Sequence, residues 1–199
     1  MVYLFDPYCP WSYGYLPALA QLLGRVGAEV DLEVVNVGLY SDTPIADTPP
    51  PMLAIQRCTG VGFGPRYRQA LADGSMTLSS RDAAAAVVAL LAAAPSRPID
   101  VLWAVHRAFF WSGQSLSDPT TVARIARHLG LDAAAVELFA GSVKAAELAD
   151  EDFSLARDLG ARRGPTLLVS HGDQLSEFEG PGVSGDHLLQ QFRSVLARP

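Results

Sequence analysis

Residues Val2-Tyr3-Leu4-Phe5 form a continuous apolar run of strand length, and the period then changes. From Trp11 to Leu23 the apolar residues Trp11, Tyr15, Leu19, Leu22 and Leu23 recur at helical spacing, and Gly24 is expected to stop the helix. Pro17 falls inside this helix and predicts a kink near Gly14 to Pro17, because it cannot donate to the Tyr13 carbonyl. Val30, Leu32 and Val34 alternate with Asp31 and Glu33, and Val35 and Val37 extend the run into a second strand. Gly38 to Pro51 is rich in Pro, Asp and Thr and reads as a loop that begins a new unit. From Met52 to Asp150 the pattern is almost wholly helical. Ser79 with Asp82, Asp118 before Pro119, Asp132 and Ser142 supply successive helix starts, with a break expected near Asp150 in the last helix. Thr166 to Ser170 and Gln174 to Phe178 then form a hairpin around His171-Gly172-Asp173. A final helix, Asp186 to Ala197, carries Leu188, Leu189, Phe192, Val195 and Leu196 on one face. The pattern by itself gives an α/β fold with a large helical insertion.

Composition narrows the class. A chain of 199 residues, 49% hydrophobic, can bury one sizeable core, or a domain with an insertion. Cys9 and Cys58 are too few and too far apart for a disulfide scaffold, which points to a reducing compartment. Met1 directly precedes the first strand, so no signal peptide is expected, and the alanine-rich run Ala83 to Ala94 meets Pro95 before it could span a membrane. A net charge of −6 with scattered arginines argues against a nucleic-acid partner, and the four histidines show no metal-ligand spacing. The expectation is a cytoplasmic protein with no membrane, nucleic-acid or metal partner.

The chemistry concentrates in Asp6-Pro7-Tyr8-Cys9-Pro10-Trp11-Ser12. Cys9 sits where a strand turns into a helix, and Pro10 occupies the first helical position, where its missing N–H costs nothing. A thiol there faces unpaired backbone N–H groups and the positive end of the helix, so a depressed pKa is expected. The alternative is a small buried cysteine that packs. Ser12 can donate a hydrogen bond to the Cys9 sulfur or satisfy a backbone group at the helix start. Asp6 could relay a proton or shape the turn with Pro7, and the turn is the reading preferred. Tyr8, Trp11 and Tyr13 could form an aromatic substrate surface, with Trp11 foremost.

Asp6-Pro7-Tyr8-Cys9-Pro10-Trp11-Ser12 resembles the active site of the DsbA-like branch of the thioredoxin superfamily, in particular its FrnE-type cytosolic members. The segments His106-Arg107-Ala108-Phe109-Phe110 and Leu116-Ser117-Asp118-Pro119 are similar to the helical region of that group. The resemblance implies a thioredoxin-like fold with an all-helical insertion between the second and third sheet strands: residues 1–50 and 151–199 form the thioredoxin-like domain and 51–150 the inserted one. Members usually carry Cys-x-x-Cys, and here the second position is Ser12; the related kappa-class glutathione transferases and hydroxychromene-carboxylate isomerases carry serine at both ends. The resemblance further implies that Pro165 opens the third strand through a cis bond beside Cys9, and that Gly164 offers its N–H and C=O to an extended substrate. It makes Cys9, Ser12 and Pro165 the catalytic group and Pro10, Trp11, Gly164 and Thr166 the substrate-binding one. Ser184 and Asp186, at the start of the last helix, resemble the kappa-class site for the γ-glutamyl end of glutathione. Plain N-capping explains them equally well.

A thiolate at Cys9 can attack a disulfide, but a serine hydroxyl cannot resolve the mixed disulfide that forms. Three functions follow, in order of preference. The first is a thiol–disulfide oxidoreductase with one active cysteine, acting on a protein disulfide or small thiol, with glutathione as the resolving cosubstrate and no tightly bound cofactor. The second is a kappa-type glutathione-dependent transferase or isomerase of a small hydrophobic molecule. The third is a thioredoxin-fold binder without catalysis. A homodimer is compatible with each. Cys58, before Thr59-Gly60, reads as a cysteine shielded in the helical block, and His106 as a satisfied structural histidine that could instead face the site.

Overall fold

The computed structural model describes residues 1–27, 30–161 and 164–197. β1 (Val2–Phe5) leads into α1 (Pro10–Val26) and then β2 (Glu33–Asn36). β3 (Thr43–Pro44), a 3₁₀ turn (Ile45–Asp47), α2 (Met52–Thr59), α3 (Pro65–Asp73) and β4 (Thr77–Leu78) follow. The helical succession continues with α4 (Ser80–Ala93), α5 (Pro98–Phe110), α6 (Pro119–His128), α7 (Ala133–Ala140) and α8 (Val143–Asp158). The chain ends its described course with β5 (Thr166–His171), β6 (Gln174–Phe178) and α9 (Gly185–Leu196).

β1 is central in a four-stranded sheet of order β2-β1-β5-β6. It runs parallel to β2, with Val2 opposite Glu33, and antiparallel to β5, with Leu4 opposite Thr166. The period of two sorts the side chains. Tyr3, Phe5, Leu167 and Val169 face the main core with α1 and α9, while Leu4, Val35 and Leu168 face the other way onto Ala156 of α8. A sheet covered on both faces accounts for β1 being apolar at every position. α8 is tied down further where the Asn36 side chain donates to Asp152 at 2.6 Å and the Asn36 N–H to the same oxygen at 3.1 Å.

Local start signals hold throughout the helical region. Ser79, Asp118, Asp132, Ser142 and Ser184 each accept a hydrogen bond from a backbone N–H of the turn that follows. Stops and breaks are less faithful to the sequence. α1 passes through Gly24 and ends at Gly27, because the extra turn buries Val26. It continues through Pro17 as one helix, with the proline exposed. β2 begins only at Glu33, and α8 is unbroken at Asp150, whose carboxylate instead makes a paired contact with Arg81 at 2.8 and 2.9 Å. The loop expected over 38–51 contains β3, paired with β4, and the 3₁₀ turn.

α5 forms a roof over the start of α1. His106, Phe109 and Phe110 meet Phe5, Tyr8 and Tyr13, with the Tyr13 and Phe110 rings stacked 5.1 Å apart. His106 is completely buried in this aromatic cluster and neither ring nitrogen makes a hydrogen bond of ordinary geometry, so it is not the satisfied histidine expected. Burial pushes its pKa down to about 3, opposed only by the backbone of Pro7. The folded-state value lies below the unfolded one, so its contribution is intact above about pH 6.5 and is lost as pH falls towards 3. Replacing His106 with leucine should therefore remove on the order of 2–3 kcal/mol of the stability lost between pH 7 and pH 4.5. Denaturant titrations of both proteins at the two pH values test this. Parallel acid dependence in the two would show that His106 is not the acid-sensitive group.

Candidate active site

The strand-to-helix junction is folded by backbone bonds that follow from Asp6 and Pro7. The Cys9 N–H donates to the Asp6 carbonyl at 3.0 Å, closing a turn, and the Tyr13 N–H donates to the Cys9 carbonyl at 3.1 Å, opening the helix. Cys9 is thus the N-cap of α1, with Pro10 at its first position. Its sulfur lies 3.5 Å from the Gly164 carbonyl oxygen, to which the thiol donates. The Gly164–Pro165 peptide bond is cis, as the resemblance implies.

The neighbouring Asp6 carboxylate is wholly buried. It accepts from the Tyr8 N–H at 2.8 Å and the Leu39 N–H at 2.9 Å, and the Ser80 hydroxyl and the Gly38 backbone also act on it. Burial raises its pKa in spite of these donors. The preferred reading of Asp6 as a turn residue is right but too small, since the same carboxylate also fixes the loop after β2 and the start of α4.

Cys9 departs from expectation. It is 4% exposed, and burial pushes its thiol up rather than down. The Ser12 hydroxyl and the backbone N–H groups of Ser12 and Trp11 pull the other way, while the Asp6 charge adds to the rise. A position at a helix start supplies donors, but it does not outweigh desolvation here. Ser12 is buried too: its carbonyl accepts from the Tyr3 hydroxyl at 3.1 Å and its Oγ from the Asp6 N–H at 3.4 Å.

A pocket of about 420 Å³ opens above the sulfur. Cys9, Pro10, Trp11 and Gly164 line it together with Leu39, Tyr40, Thr48 and the run Pro49-Pro50-Pro51. Pro10, Trp11 and Gly164, expected as substrate contacts, are therefore brought together around Cys9, whereas Pro165 and Thr166 are not on the wall. Ser184 caps α9 by accepting from the His187 N–H at 3.2 Å, Asp186 lies 3.6 Å from Arg25, and neither lines the pocket. Tyr8 and Tyr13 are core residues rather than a substrate surface. The Tyr8 hydroxyl accepts from the Leu116 N–H at 3.1 Å, and the Tyr13 hydroxyl donates to the Gly62 carbonyl at 3.0 Å. Cys58, expected to be shielded, is exposed near the end of α2, where Ile55 alone is fully buried. Sequence reasoning missed Tyr40 and the triple proline. The Pro49-Pro50-Pro51 run was itself a signal, since three fixed φ angles make a stiff wall. Among the described residues no three His, Cys, Asp or Glu side chains are grouped to hold a metal, and no helix is long and apolar enough to cross a membrane.

This arrangement, a cysteine heading the first helix opposite a cis-proline loop and roofed by helices set between β2 and β5, defines the DsbA type of thioredoxin fold. The chain belongs to the DSBA-like thioredoxin domain family, whose model matches residues 2–197. It superposes with a TM-score of 0.83 on the cytosolic disulfide reductase DsbM from Pseudomonas aeruginosa, at 26% identity over 98% of this chain and 98% of that one. A second structure of DsbM, with GSH, gives a TM-score of 0.80 at 26% identity over 96% and 98% of the two chains. A 2-hydroxychromene-2-carboxylate isomerase shares the fold, with a TM-score of 0.63 at 16% identity over 98% and 94%. No curated protein sequence matches the chain.

Gly164 is where the two halves of the site touch. A Cβ there would lie 3.1 Å from the Phe5 Cα and 3.2 Å from the Ser12 Oγ, tighter than ordinary contact and partly against backbone. Gly164→Ala should cost about 1–3 kcal/mol in denaturant unfolding, as overpacking does, and should loosen the sulfur–carbonyl contact. Unchanged stability would mean that the loop before β5 yields freely.

Proposed function

We propose that this protein is a thiol–disulfide oxidoreductase that works with one active-site cysteine and uses glutathione to complete its cycle. The observation that carries the proposal is the Cys9 sulfur at the head of α1, set under the Gly164 carbonyl at 3.5 Å with a hydroxyl, Ser12, where a second thiol would stand. The likeness to DsbM, a cytosolic disulfide reductase also determined with GSH, supports this reading. On this reading residues 51–150 act as the inserted helical domain that covers the site, and the protein works in the cytoplasm.

In the first step the Cys9 thiolate attacks one sulfur of a disulfide; the S–S bond breaks and its other sulfur leaves as a thiolate. Ser12 has no sulfur with which to expel the bound half. A glutathione thiolate attacks the mixed disulfide instead, releasing Cys9 as thiolate and the bound half as its disulfide with glutathione. The electron pair and the proton balance, since one thiol is consumed and one released. Gly164 offers backbone polar groups beside the sulfur, which suits an extended peptide or glutathione itself. Trp11 and the three prolines give the apolar wall. Pro165 and Thr166 serve the site by holding the loop that presents Gly164.

A second reading is favoured by one specific observation, the buried and raised Cys9 thiol next to a serine. A kappa-type glutathione-dependent transferase or isomerase needs a donor to the glutathione sulfur and not a nucleophilic cysteine. Intact mass after incubation with oxidised glutathione separates the two, using Cys58→Ser so that a single thiol is left. A glutathione adduct removed by reduced glutathione is expected for disulfide exchange. Glutathione that binds without attachment would leave the transferase or isomerase, and neither result would remove both.

Ser12→Cys should restore a dithiol on the first turn of α1. The variant should form an intramolecular disulfide under oxidising glutathione and reduce a protein disulfide with at least several-fold less dependence on added glutathione. Cys9→Ser should abolish exchange in either background. An S12C protein that stays fully reduced would show that positions 9 and 12 cannot close.

A further inference from the structure

The Cys9 site has a deficit that the groups described so far do not make good. Burial opposes a charged sulfur, and three ionisable side chains act on or are acted on by Cys9: Tyr3, Asp6 and Tyr40. Asp6, as carboxylate, is a like charge and its oxygens are occupied by the Tyr8 and Leu39 N–H groups. The Tyr3 hydroxyl is committed to the Ser12 carbonyl. The Thr48 hydroxyl, on the pocket wall, is committed to the Ile45 carbonyl. Tyr40 remains. It lines the same pocket as Cys9 and Gly164, and its hydroxyl makes no hydrogen bond among the described residues.

Tyr40 is also held in place. Its N–H donates to the Ser80 Oγ and its carbonyl accepts from the Ser80 N–H, at 3.0 and 2.9 Å, so the ring hangs from the first residue of α4. Ser80 in turn acts on Asp6, which binds the Tyr40 neighbour Leu39 to the cysteine turn. Burial, with added effects of Cys9 and Asp6, pushes its phenol up to about 12, so it stays protonated wherever a thiolate forms.

We propose that Tyr40 is a further catalytic residue, donating its hydroxyl hydrogen bond to the anionic sulfur in the pocket. The sulfur is that of Cys9 before attack and that of the departing thiol as the S–S bond breaks. This rests on the exchange reading for its second role but not for its first, which concerns the protein alone. The Trp11 indole is the other donor on the wall; in the resting protein the Cys9 sulfur donates to the Gly164 carbonyl and bonds neither the indole nor the Tyr40 hydroxyl among the described residues.

The test is the titration of Cys9 in Cys58→Ser protein, followed by thiolate absorbance and by alkylation rate against pH, with Tyr40→Phe added. Phenylalanine keeps the ring and its packing. The Cys9 pKa should rise by about one unit when the hydrogen bond to the anion is lost, and disulfide exchange at neutral pH should slow about tenfold or more. Tyr13→Phe, which deletes a hydroxyl bonded to the Gly62 carbonyl under the helical roof, should leave the titration unmoved. An unchanged Cys9 titration in Tyr40→Phe, or an equal shift in Tyr13→Phe or in Trp11→Phe, overturns the assignment. Wild-type protein that shows the Tyr40-dependent titration but no exchange would instead overturn the oxidoreductase reading and keep Tyr40 as a donor to the sulfur. If Tyr40→Phe unfolds, Tyr40→Met with its folding checked by circular dichroism makes the same comparison.

Discussion

The buried Asp6 carboxylate is the constraint on which the site depends. A carboxyl group taken wholly out of water must be met by donors, and here they come from separate parts of the chain. The Tyr8 N–H belongs to the cysteine turn, the Leu39 N–H to the loop after β2, and Ser80 to the start of α4. Meeting those demands brings the sheet, the pocket wall and the helical insertion to one point. Leaving any of these donors unmet would cost on the order of 1–3 kcal/mol, so the assembly is held as a unit rather than contact by contact. The Tyr8 hydroxyl extends the same logic, accepting from Leu116 beyond the roof helix.

The sulfur beside that carboxylate is poised by opposition. Burial and the Asp6 charge keep Cys9 protonated, and the resting thiol donates to the Gly164 carbonyl. Ser12 and the first N–H groups of α1 favour the anion. An incoming group can displace the carbonyl contact, while in the resting protein the sulfur is sheltered. This differs from the simple picture of a thiol acidified by a helix start, in which the sulfur would be ionised and exposed at all times.

How far the sequence could be read followed the range of the interactions. Caps at Ser79, Asp118, Asp132, Ser142 and Ser184 bond to residues two or three positions on, and all were legible. The alternation that splits Tyr3 and Phe5 from Leu4 was visible only as an unbroken apolar run, because both faces are covered. The Asp6-to-Ser12 motif was legible, through resemblance, as fold. What depended on distant partners was not. Gly24 carries no sign that Val26 will be buried, and nothing near Cys58 says that its side of α2 faces solvent. Tyr40 lies 31 positions from Cys9 in a loop with no period, so the wall it forms could be found only in three dimensions. The raised Cys9 pKa escaped for the same reason, since desolvation is the sum of neighbours from several elements.

The close approach of Gly164 to Cys9 joins positions 155 residues apart in the chain. Contacts of such long separation form late, after the loop between them has been closed. β1 can find its parallel partner β2 early, but its other edge waits for β5, and with it the carbonyl that covers the sulfur. During synthesis, therefore, the thiol spends its time uncovered while the helical insertion is still being made. The nascent chain must pass through a stage in which the Cys9 sulfur is open to any oxidant or disulfide at hand. A reducing thiol pool would then matter to this protein before it folds.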